Sequence, residues 1–495
     1  MQEFLPAGIN KKYMWNKIQL IGIVFFLLCV NFACSERGLD DSETENPTAD
    51  NDTIVDPLPI ADTEKWLYKK NKLTSKEEKF FGIGLWHVPG YTLTENNYTD
   101  VTHYDDFKER TASSNIVIID SRYLKSYMNE KILMIGNFSA TLHGYLDKIT
   151  ALPKSSDKDY YRTQYLKGNA NNPELIEAFD NEVRRIVNKY PEFERAYFPI
   201  DEIALGGVAK WFIPPVIGEK MYESIKKRET NPIVLVDLMG HGRGSTFFFE
   251  QNYLKTHASM PVKPPYDLLS EGTNAQKTYP LLGFSQAYDG TPVYKFDHNG
   301  NYSYENLNIE TLKRIWYENV RQIASAYQKN GNVFSINAFR DFYANPILAG
   351  VTTDAMKDGL KEKPIWLYFD GNGYAKPANV TPENYVKNVK CQIYTSIVHG
   401  ATGIFFWNDW SKTAIVFDNL LPVLKELNEN LYMIYFHTIE RKIESDLHVM
   451  IKRDGNGGKY IIATNTSKTN DAALNVHGVE KKKLNPLEVY VSKIQ

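Results

Sequence analysis

Eight short apolar segments recur between residues 80 and 407, and segments with helical spacing separate several of them. The apolar segments are 80–86, 115–120, 132–137, 195–202, 233–237, 333–337, 365–370 and 403–407. Near-continuous apolar strands that alternate with helices are typical of a parallel sheet covered by helices. Because eight repeats suffice to close such a sheet, the pattern predicts an α/β fold, a (β/α)8 TIM barrel over residues 65–440.

The helical pattern is clearest at residues 382–399, where an apolar residue recurs at every fourth position from Tyr385 to Ile397. Further helices are predicted at 173–189, 218–228, 309–329 and 418–438. Beyond residue 440, short β-type segments are separated by turn residues such as those at 454–458. The barrel is therefore expected to be followed by a small antiparallel β-domain, sandwich-like, at residues 441–495.

The N-terminal residues have the pattern of an export signal. Lys11, Lys12 and Lys17 precede an apolar run at 18–30, which is shorter than a membrane-spanning helix needs. The run ends at Ala33-Cys34, which resembles the lipobox of bacterial lipoproteins. We therefore predict a signal peptide at 1–34, acylation of Cys34 and an exported protein anchored by lipid to the bacterial outer membrane. An uncleaved anchor and an ordinary secretory signal are the alternatives.

Residues 35–64 hold ten acidic residues against the single basic Arg37, which predicts a disordered tether rather than a packed segment. Beyond the tether the only cysteine is Cys391, so the folded body forms no internal disulfide. The formal net charge of −3 argues against a nucleic-acid partner. These features leave a large exported globular domain, whose oligomeric state the sequence does not indicate.

Carboxylates follow several predicted strands, which is where parallel barrels place their catalytic groups. Asp201 and Glu202 follow the apolar run that begins at Ala196. Partial burial and a neighbouring like charge raise a carboxyl pKa toward the value that a general acid needs, so Glu202 is the predicted proton donor and Asp201 its orienting neighbour. The alternative is that this pair merely caps a helix.

A second carboxylate is expected at the end of the seventh strand. Asp370 could face Glu202 across the barrel mouth and is the predicted nucleophile or base, with Asp409 as its competitor. Asp370 precedes Gly-Asn-Gly, so it also fits an ordinary turn. The sequence is compatible with Asp370 as a catalytic residue and with Asp370 as a turn residue.

Aromatic and polar residues near the same strand ends suit a saccharide, because sugar faces stack on indole rings while hydroxyls bind polar groups. The long connection at 238–308 is expected to form a wall or lid beside them. The predicted substrate-binding residues are Trp86, His87, Asp120, Asp237, His241, Asn337, Arg340, Trp407, Asp409 and Trp410.

Over residues 80–440 the chain resembles TIM-barrel glycoside hydrolases and their relatives among Bacteroidetes lipoproteins. The matching residues are Asp201-Glu202, the strand with Trp366, and the helix-to-strand segment 394–407. The resemblance implies cleavage of a poly- or oligosaccharide by paired carboxylates, without a cofactor. Where such hydrolases usually have Asn-Glu after the fourth strand this chain has Asp-Glu, and Asp370 stands where many have glutamate.

Two other functions are compatible with the sequence. His87, Asp120, Asp237 and His241 could bind a divalent metal in a metal-assisted hydrolase, although their spacing matches no diagnostic motif, and no metal is predicted. A surface lipoprotein could also keep the barrel and its tryptophans only to bind glycans.

Overall fold

The computed structural model describes residues 64–71, 74–86, 108–117, 131–136, 138–149, 162, 165–203, 213–238, 295–296, 302–303, 309–407 and 415–494. Residues 1–63, which hold the predicted signal, the lipidation site and most of the tether, lie outside this description. Within the described part of the chain, no helix has both the length and the apolar character to cross a membrane.

Eight parallel strands form the central sheet. In chain order they are β3 (Gly82–Leu85), β4 (Ile116–Val117), β5 (Ile132–Gly136), β6 (Arg195–Phe198), β7 (Ile233–Leu238), β10 (Val333–Ile336), β11 (Trp366–Asp370) and β12 (Gly403–Trp407). Neighbouring strands pair in sequence, β12 pairs with β3, and bridges from Phe334 to Ile365 and from Asn337 to Tyr368 join β10 to β11. The sheet therefore closes into the predicted barrel, and all eight predicted strands are confirmed.

The described helices pack around the barrel. They are α1 (Phe138–Leu146), α2 (Pro173–Lys189), α3 (Pro215–Lys226), α4 (Ile309–Tyr327), α5 (Phe339–Ala344), α6 (Ile347–Leu360), α7 (Pro382–His399) and α8 (Ile415–Ile434). Helix α7 starts after Thr381, whose hydroxyl accepts from the backbone N–H of Asn384, and ends at Gly400 with a φ of 107°. Local capping thus fixes the helix that leads into β12.

Side chains that point into the barrel form a second core, distinct from the one between sheet and helices. Close packing at its centre requires glycine on the neighbouring strands: a Cβ atom at Gly84 would lie 2.0 Å from the Phe405 ring, and one at Gly403 would lie 2.4 Å from Trp366. The inner cluster consists of Ile116, Ile132, Met134, Ala196, Phe198, Ile233, Leu235, Val333, Trp366, Tyr368 and Phe405.

The base of the barrel, at the N-terminal ends of its strands, receives the start of the described chain. Strands β1 (Leu67–Lys70) and β2 (Glu77–Phe80) form an antiparallel hairpin, and Phe80 packs 6.0 Å from the ring of Trp366. Thr402, just before β12, donates to the carbonyl of Lys65 at 3.0 Å. The buried Glu64 carboxylate lies 2.5 Å from Arg441 Nη2 and 3.2 Å from Lys452 Nζ.

The C-terminal region is antiparallel, as predicted. Strands β13 (His437–Glu444), β14 (Leu447–Arg453), β15 (Lys459–Asn465) and β18 (Val489–Ile494) form one sheet, and β16 (Ala472–Leu474) pairs with β17 (Lys482–Leu484). Leu474 and Leu484 from the small pair join Ile461 and Val449 in a separate apolar cluster. Two further short strands, β8 (Lys295–Phe296) and β9 (Tyr302–Ser303), pair with each other.

One predicted boundary changes the position of the candidate acids. The fourth strand was expected to run to residue 202, but β6 ends at Phe198. Pro199 follows directly, and proline has no N–H for the ladder. Asp201 and Glu202 therefore lie in a turn beyond the strand rather than on it.

The inner glycines give a test of the barrel packing. We expect Gly84→Ala to lower the free energy of unfolding by about 1–3 kcal/mol, because a methyl group would overlap the Phe405 ring. Chemical denaturation measures the change. Gly144→Ala is the control, since Gly144 is an exposed residue of α1 with no atom within 4 Å of its Cβ position, and alanine there should raise stability by up to about 1 kcal/mol. Equal midpoints for Gly84→Ala and wild type would contradict this packing.

Candidate active site

The turn after β6 brings Glu202 to the C-terminal end of the barrel. The backbone N–H of Ile203 donates to the carbonyl of Asp237 at 3.0 Å, which ties this turn to the end of β7. Glu202 has a φ of 48°, in the left-handed region that costs a non-glycine residue about 1–2 kcal/mol. Such strain is concentrated at functional positions, because the surrounding structure must hold it in place.

Asp237 lies inside the barrel mouth. The alternation along β7 places it two residues above the inward Leu235, and the side chain is fully buried. Asn337 Nδ2 donates to Asp237 Oδ2 at 3.0 Å, and Ser335 pairs with Asp237 across β10 and β7. Two predicted substrate-binding residues, Asp237 and Asn337, are thus brought together.

Asp201 and Asp237 form an electrostatically coupled pair. Burial, followed by the charge of Glu202, raises the pKa of Asp201 to about 7, and the Asp237 carboxyl within hydrogen-bonding reach partly offsets the rise. Burial and the charges of Asp201 and Glu202 raise the pKa of Asp237 well above its ordinary value. Among the described residues, Asp201 Oδ1 and Asp237 Oδ1 have no hydrogen-bond donor. Two carboxyls can bond to each other only when one of them keeps a proton, so we expect this pair to share one.

Tyr368 belongs to the inner cluster of the barrel and lies close enough to these carboxyls to be affected by their charges. Its hydroxyl is buried without a hydrogen-bond partner in the described part of the chain, as is that of Ser335. Burial, followed by the charges of Asp201 and Asp237 and then those of Glu202 and Asp370, raises the pKa of Tyr368 well above its ordinary value. The neutral phenol thus remains a hydrogen-bond donor directed into an acidic site.

Asp370 has a different environment from the other acids. Its Oδ1 accepts from the backbone N–H groups of Asn372 and Gly373, both at 2.9 Å. Its Oδ2 accepts from the N–H of Ala375 at 2.7 Å and from the Tyr385 hydroxyl at 2.6 Å. These four donors hold the β11–α7 loop in place and occupy both oxygens of the carboxylate, so they favour the turn interpretation over a nucleophile.

Aromatic rings line the rim next to this loop. Trp407 stacks on Phe339 with ring centroids 5.9 Å apart, and Tyr374 meets Trp407 edge-on at 5.6 Å. Tyr374 is 50% exposed, although it belongs to an ordered turn. Trp86 directly follows β3, the strand that pairs with β12, and packs edge-on against Phe198 at 4.6 Å. Both predicted tryptophans of the described region therefore lie at the mouth with partly exposed rings.

The other predicted residues are reported individually. His87, Asp120, His241, Asp409 and Trp410 lie outside the described residues, and so does the side chain of Arg340. Asp341 follows on α5, where burial raises the pKa of its carboxyl to about 8. Sequence reasoning missed Tyr368, Ser335, Phe339 and Tyr374. Tyr368 and Ser335 had a usable signal, since each lies two residues before a chosen polar residue and so faces the same side of its strand.

The metal hypothesis gains no support from the described residues, in which no group of three or more His, Cys, Asp or Glu side chains could hold an ion. Three of its four proposed ligands lie outside the description. The described mouth instead contains carboxyl, amide and hydroxyl groups beside aromatic rings, which is the combination that carbohydrate sites use.

Comparison with known proteins gives a fold-level likeness. No family model matches the chain, and no curated protein sequence matches it. Among solved structures, it is similar to an alpha-amylase from Geobacillus thermoleovorans complexed with acarbose (11% identity, TM-score 0.40, 84% of this chain and 98% of that one). It is also similar to a glucosidase from Croceicoccus marinus (10% identity, TM-score 0.36, 87% and 82%). At these values the function must be argued from the site itself.

The shared proton can be tested by titration. Asp201 has a raised folded pKa, so its contribution to stability is present at low pH and falls as the pH rises from about 4 toward 7. In Glu202→Gln the like charge that raises the pKa of Asp201 is gone, so we expect this pKa to fall while burial keeps it above 3.8. Carboxyl ¹³C NMR follows the titration. Asp147→Asn, at an exposed site on the turn after α1, should leave it unchanged. An unaltered Asp201 titration in Glu202→Gln would contradict the coupling that favours a retained proton.

Proposed function

We propose that this protein is a glycoside hydrolase whose active site is the barrel mouth. The observation that carries the proposal is the coupling of Asp201, Glu202 and Asp237 at the ends of β6 and β7. Within the described residues, no lysine, arginine or histidine forms an ion pair with Asp201 or Asp237. Such a cluster keeps a carboxyl protonated near neutral pH, and glycosidic cleavage requires a protonated carboxyl beside an ionised one.

In this proposal Glu202 is the proton donor, and its proton comes from the coupled group of Asp201, Glu202 and Asp237, which titrates as a unit. Its proton passes to the glycosidic oxygen as the bond from that oxygen to the anomeric carbon breaks, and water supplies the hydroxyl that completes the product sugar. The water's remaining proton returns to the carboxyl groups of the site, so the protons balance. The strained backbone of Glu202 holds the acid beside its neighbours instead of letting it relax away from them.

Asp237, with Asp201 sharing its proton, is the better-placed second carboxylate. Asp237 feels the charge of Glu202, whereas the oxygens of Asp370 already accept four hydrogen bonds. A carboxyl separation of about 5–5.5 Å would give retention of configuration and about 6.5–9.5 Å inversion. We therefore assign Asp370 to the loop that carries Tyr374, and the sequence-based nucleophile assignment to Asp370 is replaced here by Asp237.

The aromatic residues at the rim of the barrel mouth indicate the class of substrate. Trp407, Phe339 and Tyr374 present partly exposed aromatic surface next to polar groups, which suits the apolar face and the hydroxyls of a saccharide. The same surface would serve a protein that binds glycans without cleaving them, and this is the alternative that the following experiment separates.

The first experiment measures sugars released from a panel of poly- and oligosaccharides by mass spectrometry. We expect release by wild type, a loss of at least about 10³-fold in Glu202→Gln, and wild-type release by Glu177→Gln on the exposed face of α2. Binding of a glycan without release from any of them would make the protein a glycan-binding lipoprotein instead. If the protein neither binds nor cleaves any glycan of the panel, the carbohydrate assignment is refuted.

The same assay distinguishes Asp237 from Asp370 as the second catalytic carboxylate. Asp237→Asn should abolish turnover with little loss of folding stability, because asparagine can still bond to Asn337. Asp370→Asn should lower stability by about 1–3 kcal/mol, since half of its acceptor capacity is lost, while measurable turnover remains. Turnover abolished in Asp370→Asn at unchanged stability would restore Asp370 as the nucleophile or base.

We further propose export and lipid anchoring through Cys34, on the strength of the basic and apolar segments before it. In bacterial cells, Cys34→Ser should move the protein from the membrane fraction to the soluble fraction. Mass spectrometry of the N-terminal peptide should show acyl chains on the wild type only. Equal membrane retention of both forms would exclude this anchor.

A further inference from the structure

Two histidines are buried in direct contact where helix α7 meets the C-terminal sheet. His399, the last residue of α7, and His448 on β14 are 5% and 1% exposed. His399 Nε2 lies 2.7 Å from His448 Nδ1, and His399 Nδ1 lies 2.6 Å from Asp354 Oδ2 of α6. His448 Nε2 lies 3.2 Å from the carbonyl oxygen of Ser445. The four groups form one continuous chain of three hydrogen bonds.

The ends of this chain fix its proton count. An ionised carboxylate and a backbone carbonyl only accept, so His399 Nδ1 and His448 Nε2 must each carry a proton. The central bond between the two rings needs a third proton. Two neutral imidazoles carry only two ring protons between them. We propose that His399 and His448 together hold three ring protons, one positive charge, and that this extra proton fastens the C-terminal sheet to the barrel.

The surroundings place the charge on His399. Burial, followed by the charge of His399, lowers the pKa of His448 to about 3, so His448 is the neutral ring. Burial opposes ionisation of Asp354, but the charge and hydrogen bond of His399, with Lys357, outweigh it and lower the pKa of Asp354. A cation at the end of α7 is also favoured by the helix dipole.

Other charged groups face the pair from each neighbouring element. The Lys357 ammonium of α6 donates to the carbonyl of His399 at 2.9 Å, and the Arg441 guanidinium of β13 donates to that of Val398 at 2.7 Å. Lys313 of α4 acts on His448 from a distance. Glu64 pairs with Arg441 and Lys452, whereas Asp354 is the carboxylate that pairs with Lys357 and His399.

This proton gives the interface a preferred pH range. Asp354 has a lowered folded pKa, so its contribution is present above the ordinary carboxyl value and is lost in acid. Strong acid also forces a charge onto buried His448. In alkali the extra proton leaves, and one of the three hydrogen bonds is lost with it. The contact between sheet and barrel should therefore be strongest in mildly acidic to neutral solution.

The test compares thermal unfolding at about pH 6 and about pH 9, the range in which histidine loses its charge. Between these two pH values, the unfolding temperature of the wild type should fall by about 2–5 °C more than that of His448→Asn. An asparagine amide can donate or accept, so it bonds to neutral His399 and removes the need for the third proton. His477→Asn, at an exposed histidine of the same region, should keep the wild-type difference.

Equal pH dependence in wild type and His448→Asn would overturn the proposal. A second measurement covers the case in which His448→Asn does not fold. In wild-type protein with ¹⁵N-labelled histidine, NMR at about pH 6 should show three slowly exchanging ring N–H protons from this pair, and only two would refute it. Neither measurement involves the active site, so both results are independent of the proposed glycosidase activity.

Discussion

The packing of two aromatic rings against glycine at the centre of the barrel sets the spacing of the strands around them. Trp366 and Phe405 occupy space that any side chain at Gly82, Gly84 or Gly403 would need. Because these residues lie on β3, β11 and β12, the rings set the spacing of three adjacent strands. The turn with Glu202 and the loop with Asp370 are attached to this framework, so their geometry depends on it.

Buried acids in this molecule are stabilised in two different ways. Glu64 forms ion pairs with Arg441 and Lys452, and these offset the free-energy cost of burying its charge. Asp201 and Asp237 instead have raised pKa values that favour a retained proton, and the nearby neutral Tyr368 adds no charge. An acid with cationic partners is locked in one protonation state, whereas a pair sharing a proton can exchange it. This difference separates the structural carboxylate from those proposed to do chemistry.

Local patterns in the sequence predicted much of the fold and part of the site. The eight barrel strands were predicted from apolar runs. The starts of α2 and α7 were predicted correctly because an N-cap residue followed by proline marks each of them. The glycines after Asp370 also indicated that this residue could stabilise a turn. The coupling of Asp201 with Asp237 was not predicted, because it joins the turn after β6 to the end of β7 and depends on where Pro199 ends β6. The histidine pair is still less local, since α7 and β14 meet only after the C-terminal sheet has docked.

The position of Glu64 has a mechanical consequence. The chain enters the folded body at the base of the barrel, where Glu64 is held by β13 and β14 and Lys65 by the residue before β12. Tension applied to the chain ahead of Glu64 would load these ion pairs and the C-terminal sheet first. The strand ends at the mouth lie at the far side of the barrel from this load, so a pull strong enough to strain the attachment would leave the arrangement of Asp201, Glu202 and Asp237 unstressed.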